Sequence, residues 1–406
     1  MPIKILMVLG TRPEAIKLLP VICALRDEKW ADLKVCTTYQ HRELLTQVLD
    51  LFDVKVDVTL PQDYVNQDQP LSLSQSQARM LLGLDKVIIT QQPDLVIVHG
   101  DTSSCLAGAL TAFYHQIPVV HIEAGLRTYN LGAPFPEESH RQMVARLADL
   151  HFVPTVQAKI HLVDELIAED SIFVSGNTIV DSLHRVCRHV MTFPQSHFEG
   201  KLVQFCGIPV SKVSCPVILI TLHRRESTGE KFRALCDALL QSAKANPHYI
   251  FIFTLHLNPL FKDPAIELSG KADNLFMIPP QDYLMFTWLL IRAELVITDS
   301  GGVQEEAEVL GKPLFIVRDH SDRPESLTRA DVILIGIDPL NLGVKLNLFC
   351  GRARLPKSAP LNISNLSSCV FGDGNASQRI LGVIKRKYLE SDVCEGPPLV
   401  VDEFLN

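Results

Sequence analysis

This chain predicts an α/β protein, two doubly wound parallel sheets facing a central cleft, and three observations predict it. Short apolar runs alternate with longer helical patterns along most of the sequence. The alternation comes as two series, separated by a less regular, Phe- and Pro-containing connection around Thr192 to Cys215. The chain has 406 residues, long for a single hydrophobic core, so two domains are expected.

In the first series the strand candidates are Ile3–Leu9, Leu33–Thr38, Leu95–His99, Val119–Glu123, Leu150–Val153 and Ile172–Val174. Helical patterns fall between them at Glu14–Arg26, Arg42–Leu51, Ser104–Tyr114, Glu137–Leu147 and Val156–Leu166. The polar stretch Asp57 to Leu73, with its prolines and glutamines, reads as a loop. In the second series the strands are Val217–Thr221, Tyr249–Leu255, Leu275–Ile278, Leu295–Thr298, Leu314–Val317 and Val332–Ile335. Helices are expected at Glu230–Ala245, Tyr283–Arg292 and Val303–Leu310. Two Rossmann-like domains follow, residues 1–175 and 176–371, with the boundary near Gly176. Asn341 to Leu366 has weak periodicity. A last helix, Ala376 to Leu389, is expected to pack back on the first domain, and a tail over 391–406 to fray.

Composition narrows the function. Hydrophobic content of 47% and charged content of 21% are ordinary for a globular protein. A formal net charge of -8 argues against nucleic acid as partner. No apolar run reaches membrane-spanning length, and the first strand begins at once, which predicts no signal peptide. Ten cysteines without Cys-x-x-Cys spacing predict neither a zinc site nor a redox motif. Together these features predict a cytoplasmic protein.

The informative polar residues stand where predicted strands end, which is where open α/β sheets bind ligands. After the first strand comes Gly10-Thr11-Arg12-Pro13-Glu14-Ala15-Ile16-Lys17. Glycine turns the chain and proline opens a helix. Arg12 and Lys17 thus lie at a helix N-terminus that already favours an anion, and point to a phosphorylated ligand. Asp101, in Gly100-Asp101-Thr102, is either an N-cap or a site carboxylate. Glu123, closing an apolar strand, is either an ion-pair partner, for instance of Arg127, or functional. Glu137 and Glu138 open a helix with Arg141 on the same face; they serve the helix dipole and Arg141, or one of them faces the cleft.

The second series adds His223-Arg224-Arg225-Glu226 after a strand, where His223 is either a core histidine or a phosphate-proximal one. His256 ends the next strand. Asp299-Ser300-Gly301-Gly302 opens a helix whose small residues let backbone N–H groups approach a phosphate. Glu305, Glu306 and Glu308 either complement the dipole or accept hydrogen bonds from a ribose diol. Arg318 to Glu325 forms a charged loop beside the same cleft. The 14 histidines match no metal signature, and His99 and His121 read as core residues.

These segments together resemble the non-hydrolysing UDP-N-acetylglucosamine 2-epimerases, from Gly10 to about Glu325 and again from Gly372. The carrying motifs are Gly10-Thr11-Arg12-Pro13-Glu14-Ala15, Gln40-His41-Arg42, His99-Gly100-Asp101-Thr102 and Glu123-Ala124-Gly125-Leu126-Arg127-Thr128. Pro136-Glu137-Glu138, Gly176-Asn177-Thr178, His223-Arg224-Arg225-Glu226, Asp299-Ser300-Gly301-Gly302-Val303-Gln304-Glu305-Glu306 and Arg323-Pro324-Glu325 complete the set. The resemblance implies the two-domain GT-B-like architecture of one glycosyltransferase class. It implies interconversion of UDP-GlcNAc and UDP-ManNAc for surface polysaccharide by a homodimer, with no nicotinamide cofactor and no metal. By resemblance Asp101, Glu123, Glu137 and His223 hold catalytic positions. Arg12, Lys17, Gln281, Phe286, Ser300, Gly301, Gly302, Glu306 and Arg323 hold UDP-binding positions. Gln40, Arg224 and His256 match parts of a second, activating substrate site. Leu222, the run His320-Ser321-Asp322, Pro70 and Cys369-Val370-Phe371 depart from the family pattern. A hydrolysing epimerase, a transferase on the same fold and a nucleotide-sugar sensor are the competing readings.

Overall fold

The computed structural model describes residues 1–38, 42–60, 71–224, 227–321, 323–352 and 369–389. Seven strands form the first sheet: β1 (Ile3–Leu9), β2 (Ala31–Thr37), β3 (Val58–Thr59), β4 (Leu95–His99), β5 (Val119–Ile122), β6 (Leu150–Val153) and β7 (Ile172–Val174). Six form the second: β8 (Val217–Thr221), β9 (Ile250–Thr254), β10 (Leu275–Ile278), β11 (Ala293–Thr298), β12 (Leu314–Ile316) and β13 (Val332–Leu334). Every strand pair is parallel. The orders are β3-β2-β1-β4-β5-β6-β7 and β10-β9-β8-β11-β12-β13. The expected doubly wound α/β class is therefore what the chain adopts.

Parallel sheets of this kind are buried on both faces, which is why their strands read as near-continuous apolar runs. Along β1, Ile5, Met7 and Leu9 join one core cluster while Leu6 and Val8 join another. The same split divides Val217 and Leu219 from Ile218 and Ile220 on β8. The first of these clusters is shared by both sheets. Helix Thr178–Val190 runs through it, packing against helices Arg12–Arg26, Tyr283–Arg292, Gly301–Val309 and Ala376–Leu389.

In each sheet the winding direction reverses once, between β1 and β4 and between β8 and β11. Helices leave in opposite directions from such a pair of strands and open a crevice at their carboxyl ends. Gly10 and Gly100 stand at the first reversal, and His223 and Asp299 at the second. These four strand ends position the site.

Several stretches differ from the sequence reading. Helix Gln195–Cys206 occupies the connection read as irregular. Phe198 and Leu202 are buried, and Val203 and Cys206 pack half-buried against the same core; this stripe at helical spacing is short, and the sequence reading does not resolve it into a helix. Phe198 anchors it by stacking on Trp288 at 5.2 Å between ring centroids. Helix Leu73–Gln91, N-capped by Ser72, follows the polar stretch, and β3 lies within that stretch; residues 61–70, including Pro70, lie outside the described residues. Helix Pro339–Arg352 fills the first part of the weakly periodic Asn341–Leu366 stretch, and its remainder and the 391–406 tail lie outside the described residues. No helix among the described residues is long and apolar enough to cross a membrane.

Helix Ala376–Leu389 is tied down by Asp181 of helix Thr178–Val190, which accepts from the backbone N–H of Ala376 at 3.2 Å and of Ser377 at 2.9 Å, and from the Ser377 hydroxyl at 2.7 Å. Removing that acceptor strands buried donors, at about 1–3 kcal/mol. Asp181→Ala should lower the thermal unfolding temperature and speed proteolytic release of the last helix. An unfolding curve and digestion pattern identical to the parent protein would show that the contact is dispensable.

Candidate active site

Each key side chain leaves a strand end in a geometry that its neighbours enforce. β1 ends at Leu9, and Gly10 follows because a side chain there would sit 2.0 Å from the Ser104 hydroxyl and 2.2 Å from that of Thr38. Helix Arg12–Arg26 begins at once, and its third residue, Glu14, turns back over the junction. One Glu14 oxygen accepts from the Gly10 N–H at 3.0 Å and from the Thr11 N–H and hydroxyl at 2.8 Å each. The other accepts from the Thr102 hydroxyl at 2.7 Å. Glu14 thereby ties the loop carrying Arg12 to the loop carrying Asp101. Burial raises its pKa to about 7 despite these bonds.

Asp101 is not the N-cap of helix Ser103–Tyr114; Thr102 is, accepting from the Cys105 N–H. The Asp101 carboxylate instead receives Arg141 Nε at 2.7 Å, and Arg141 also reaches Glu138 at 3.3 Å. Glu138 is spent on structure, accepting the backbone N–H groups of Thr128 and Tyr129. Glu137, one residue earlier, is half-buried.

Glu123 stands just past β5 with φ of 61°, a left-handed backbone that costs a non-glycine residue about 1–3 kcal/mol. Its partner is not Arg127, which pairs with Glu165 at 2.6 Å. The Lys17 ammonium donates to Glu123, and Asn177 Nδ2 donates to the same oxygen at 3.0 Å. His99 Nε2 lies 3.8 Å from it. Burial drives the His99 pKa down to about 3, and those of His121 and His151 to about 3 and about 4, so all three rings are neutral. His121 donates Nε2–H to the Gly100 carbonyl at 2.8 Å, as a core histidine should.

Lys17 has a second partner, Glu305 of the other sheet's helix Gly301–Val309, at 2.8 Å. Glu305 in turn accepts from Arg323 Nε at 2.6 Å. A buried ionic chain, Glu123–Lys17–Glu305–Arg323, thus crosses between the two halves. Burial works to strip the Lys17 proton, but Glu123 and Glu305 outweigh it and raise its pKa above the ordinary lysine value. Arg323 lies so close over Gly301 that a methyl group there would meet its guanidinium nitrogen at 2.4 Å.

Between the sheets lies a cavity of about 580 Å³. Arg12, Lys17, Gln281, Phe286, Ser300, Gly302 and Glu306 line it, together with His223 and His256. Arg12 donates to the Gln281 carbonyl at 3.4 Å, and its guanidinium lies 6.0 Å from the centre of the Tyr283 ring. The Tyr283 hydroxyl donates to Glu306 at 2.7 Å. Burial lifts the Glu306 pKa to about 7, the tyrosine and Arg12 pulling the other way. His223 and His256 stack with centroids 5.1 Å apart and planes 13° from parallel. Asp299 receives the backbone N–H groups of His223 and Arg224 at 2.8 Å each.

Asp101, Glu123, Glu137, Gly301, Arg224 and Arg323 stand outside the cavity wall. Lys17 joins Glu123 to it, and Arg323 packs closely over Gly301, the neighbour of the wall residues Ser300 and Gly302. Gln40 lies outside the described residues. Sequence reasoning had no signal for Asn177 or Asp299 as partners of Glu123 and His223, and it read Glu305 only as a helix-dipole or ribose acid. Among the described residues no group of three or more His, Cys, Asp or Glu could hold a metal ion.

Comparison with known proteins gives this geometry a context. A family model described as UDP-N-acetylglucosamine 2-epimerase matches residues 23–385. The chain is 40% identical over 383 residues to a UDP-N-acetylglucosamine 2-epimerase of Salmonella typhimurium, covering 94% of this chain and 98% of that protein. A crystal structure of UDP-GlcNAc 2-epimerase from Neisseria meningitidis bound to UDP-GlcNAc superposes with a TM-score of 0.84 at 38% identity, over 95% of this chain and 100% of that one. The Methanocaldococcus jannaschii enzyme in complex with UDP-GlcNAc and UDP does so with a TM-score of 0.77 at 30% identity, over 94% and 99% respectively.

Two outcomes follow from the charges. Lys17→Met leaves Glu123 and Glu305 buried without their shared cation, a change that costs about 3–5 kcal/mol; calorimetry should find a correspondingly earlier melt, and an unshifted one would remove Lys17 from the ionic chain. Glu14 keeps a proton in the fold that the unfolded chain has already released, its pKa being about 7 against an ordinary 4.5. Its contribution therefore weakens as pH rises from 4.5 through about 7. Glu14→Gln should flatten the dependence of melting temperature on pH across that window, and equal slopes for variant and parent would contradict the protonated state.

Proposed function

The chain belongs to the UDP-N-acetylglucosamine 2-epimerase family, and from that premise we propose that it interconverts UDP-GlcNAc and UDP-ManNAc without net hydrolysis. One observation carries the reading: Lys17 lines the cavity and is ion-paired to Glu123, so a ligand's anionic end and a strand-end carboxylate meet at one cation. In this reading the nucleoside lies toward Gln281, Phe286 and Glu306. The diphosphate lies at the N-terminus of helix Gly301–Val309, against Ser300, Gly301 and Gly302, with Arg12 and Arg323 supplying charge. The pyranose then points toward Lys17, Glu123 and Asp101, with His223 beside it.

The chemistry suits these groups. The C2 proton of the sugar is weakly acidic, so removing it alone is costly. As the C1–O bond to UDP breaks, positive character at C1 makes that proton easier to take. Anti elimination transfers the C2 proton to a carboxylate and releases UDP, leaving 2-acetamidoglucal. A proton then returns to the opposite face of C2 and UDP adds back at C1. Electrons and atoms balance with no redox step. Two faces need two proton-handling groups, and Asp101 and Glu123 come from neighbouring strands. Glu137 enters this scheme by resemblance alone. Fixed cations and N–H groups around the leaving diphosphate supply the larger share of the stabilisation. Arg224, His256 and Gln40 are proposed as parts of a second substrate site that activates the first. A cytoplasmic homodimer supplying ManNAc for surface polysaccharide is the setting that the family implies.

Incubation with UDP-GlcNAc in deuterated water, followed by NMR, tests the proposal. Deuterium at C2 together with UDP-ManNAc is the expected result. Free ManNAc and UDP would reassign the chain as a hydrolysing epimerase, and bound but unchanged substrate would make it a sensor or a transferase. Asp101→Asn should cut C2 exchange by about 10²–10⁴-fold while leaving the fold intact; near-normal exchange would take Asp101 out of the mechanism.

A further inference from the structure

We propose that Asp299 is a positioning residue for His223, holding the imidazole through Nδ1 so that Nε2 is the nitrogen presented to the cavity. The inference rests on the reading of His223 as a group of the reaction.

β8 and β11 are neighbours at the reversal point, with Thr221 paired to Thr298. That register places the residues just beyond each strand side by side. Asp299 is fully buried. Its Oδ2 is satisfied by the N–H groups of His223 and Arg224, which fixes the loop. Its Oδ1 is buried too, yet has no hydrogen-bond partner among the described residues. Leaving a buried acceptor unspent is costly, and the nearest ring nitrogen is His223 Nδ1 at 3.8 Å. Hydrogen bonds of this type are commonly long before substrate arrives and tighten in the complex. The ring stacks on His256 with planes 13° from parallel, an arrangement that a small in-plane shift of the imidazole toward the carboxylate would preserve.

The pairing would decide two things. In the neutral ring the proton sits on Nδ1, and Nε2 faces the cavity as an acceptor. In the charged ring Nε2 becomes a donor to a diphosphate oxygen, with Asp299 stabilising the imidazolium behind it. Among the described residues, the charged and titratable groups against this ring are Asp299, the neighbouring Arg224 and the stacked His256. Burial and Arg224 lower the His223 pKa, and Asp299 raises it.

The test uses the full-length protein labelled at histidine, with the His223 ring signals assigned by their absence in His223→Gln. In the wild type the neutral ring should be the Nδ1–H tautomer. In Asp299→Asn, whose amide oxygen can still accept the two backbone N–H groups, the His223 titration midpoint should move to lower pH. In the same variant kcat for C2 exchange should fall by about 10²-fold. A residue that merely held the loop would move neither the tautomer nor the midpoint. An Nε2–H tautomer in the wild type overturns the pairing, as does an unmoved midpoint or an unchanged kcat in the variant. Should the variant not fold, the wild-type tautomer decides alone. A wild type that leaves UDP-GlcNAc unconverted sinks the functional reading instead, while the tautomer still judges Asp299.

Discussion

The buried ionic chain Glu123–Lys17–Glu305–Arg323 is the constraint around which the rest of the site is arranged. It links the end of β5 in one sheet to helix Gly301–Val309 behind the other. Charges taken out of water hold their place only when each is paired and hydrogen-bonded. Here each carboxylate is shared: Glu123 also receives Asn177, and Glu305 grips both cations. The cost of breaking any link keeps the two halves in register. The same chain brings the cations expected at a diphosphate beside a carboxylate expected to move a proton. Stability and the proposed chemistry therefore draw on the same few side chains.

Sheet topology makes that chain possible. Each sheet reverses its winding once, and helices diverge there, leaving strand ends exposed to a crevice rather than to a covering helix. The functional candidates gather at these ends and bring local cost with them. Glu123 adopts a left-handed backbone, and Gly10 stands where no side chain fits. Such features persist only where surrounding contacts over-determine them. Glu14 supplies part of that over-determination by tying the first loop to Thr102 next to Asp101.

Burial also sets which groups carry charge. Glu14 and Glu306 are raised to about 7, while His99, His121 and His151 are neutral. Lys17 stays charged in an equally buried place because two carboxylates face it. Histidines and glutamates that look alike in sequence thus take different states according to what stands opposite them. His99 illustrates the point: it is a neutral core residue in its titration, yet its ring nitrogen lies against Glu123.

The sequence by itself determined the two-sheet α/β class, because buried parallel strands must be apolar throughout and the helices between them must not be. It also placed Arg12, Lys17, Asp101, Glu123, His223 and Gly301 just past strand ends or in the opening turns of helices, as the structure has them, since such junctions are local events marked by glycine, proline and a change of period. Helix Gln195–Cys206 escaped because its apolar stripe, Phe198, Leu202, Val203 and Cys206, is short and lies between Pro194 and Gly207 in a stretch rich in turn residues. Pairings escaped as well. Arg127 looked like the partner of Glu123 because it lies four residues away, and Arg141 like that of Glu137 or Glu138 alone. Only the tertiary structure decided that Lys17 takes Glu123 and Glu305, that Arg141 takes Asp101, and that Asp299 sits behind His223. The reason is physical: periodicity and propensity act over a few residues, whereas charge pairing acts through space and is settled by which strands lie side by side.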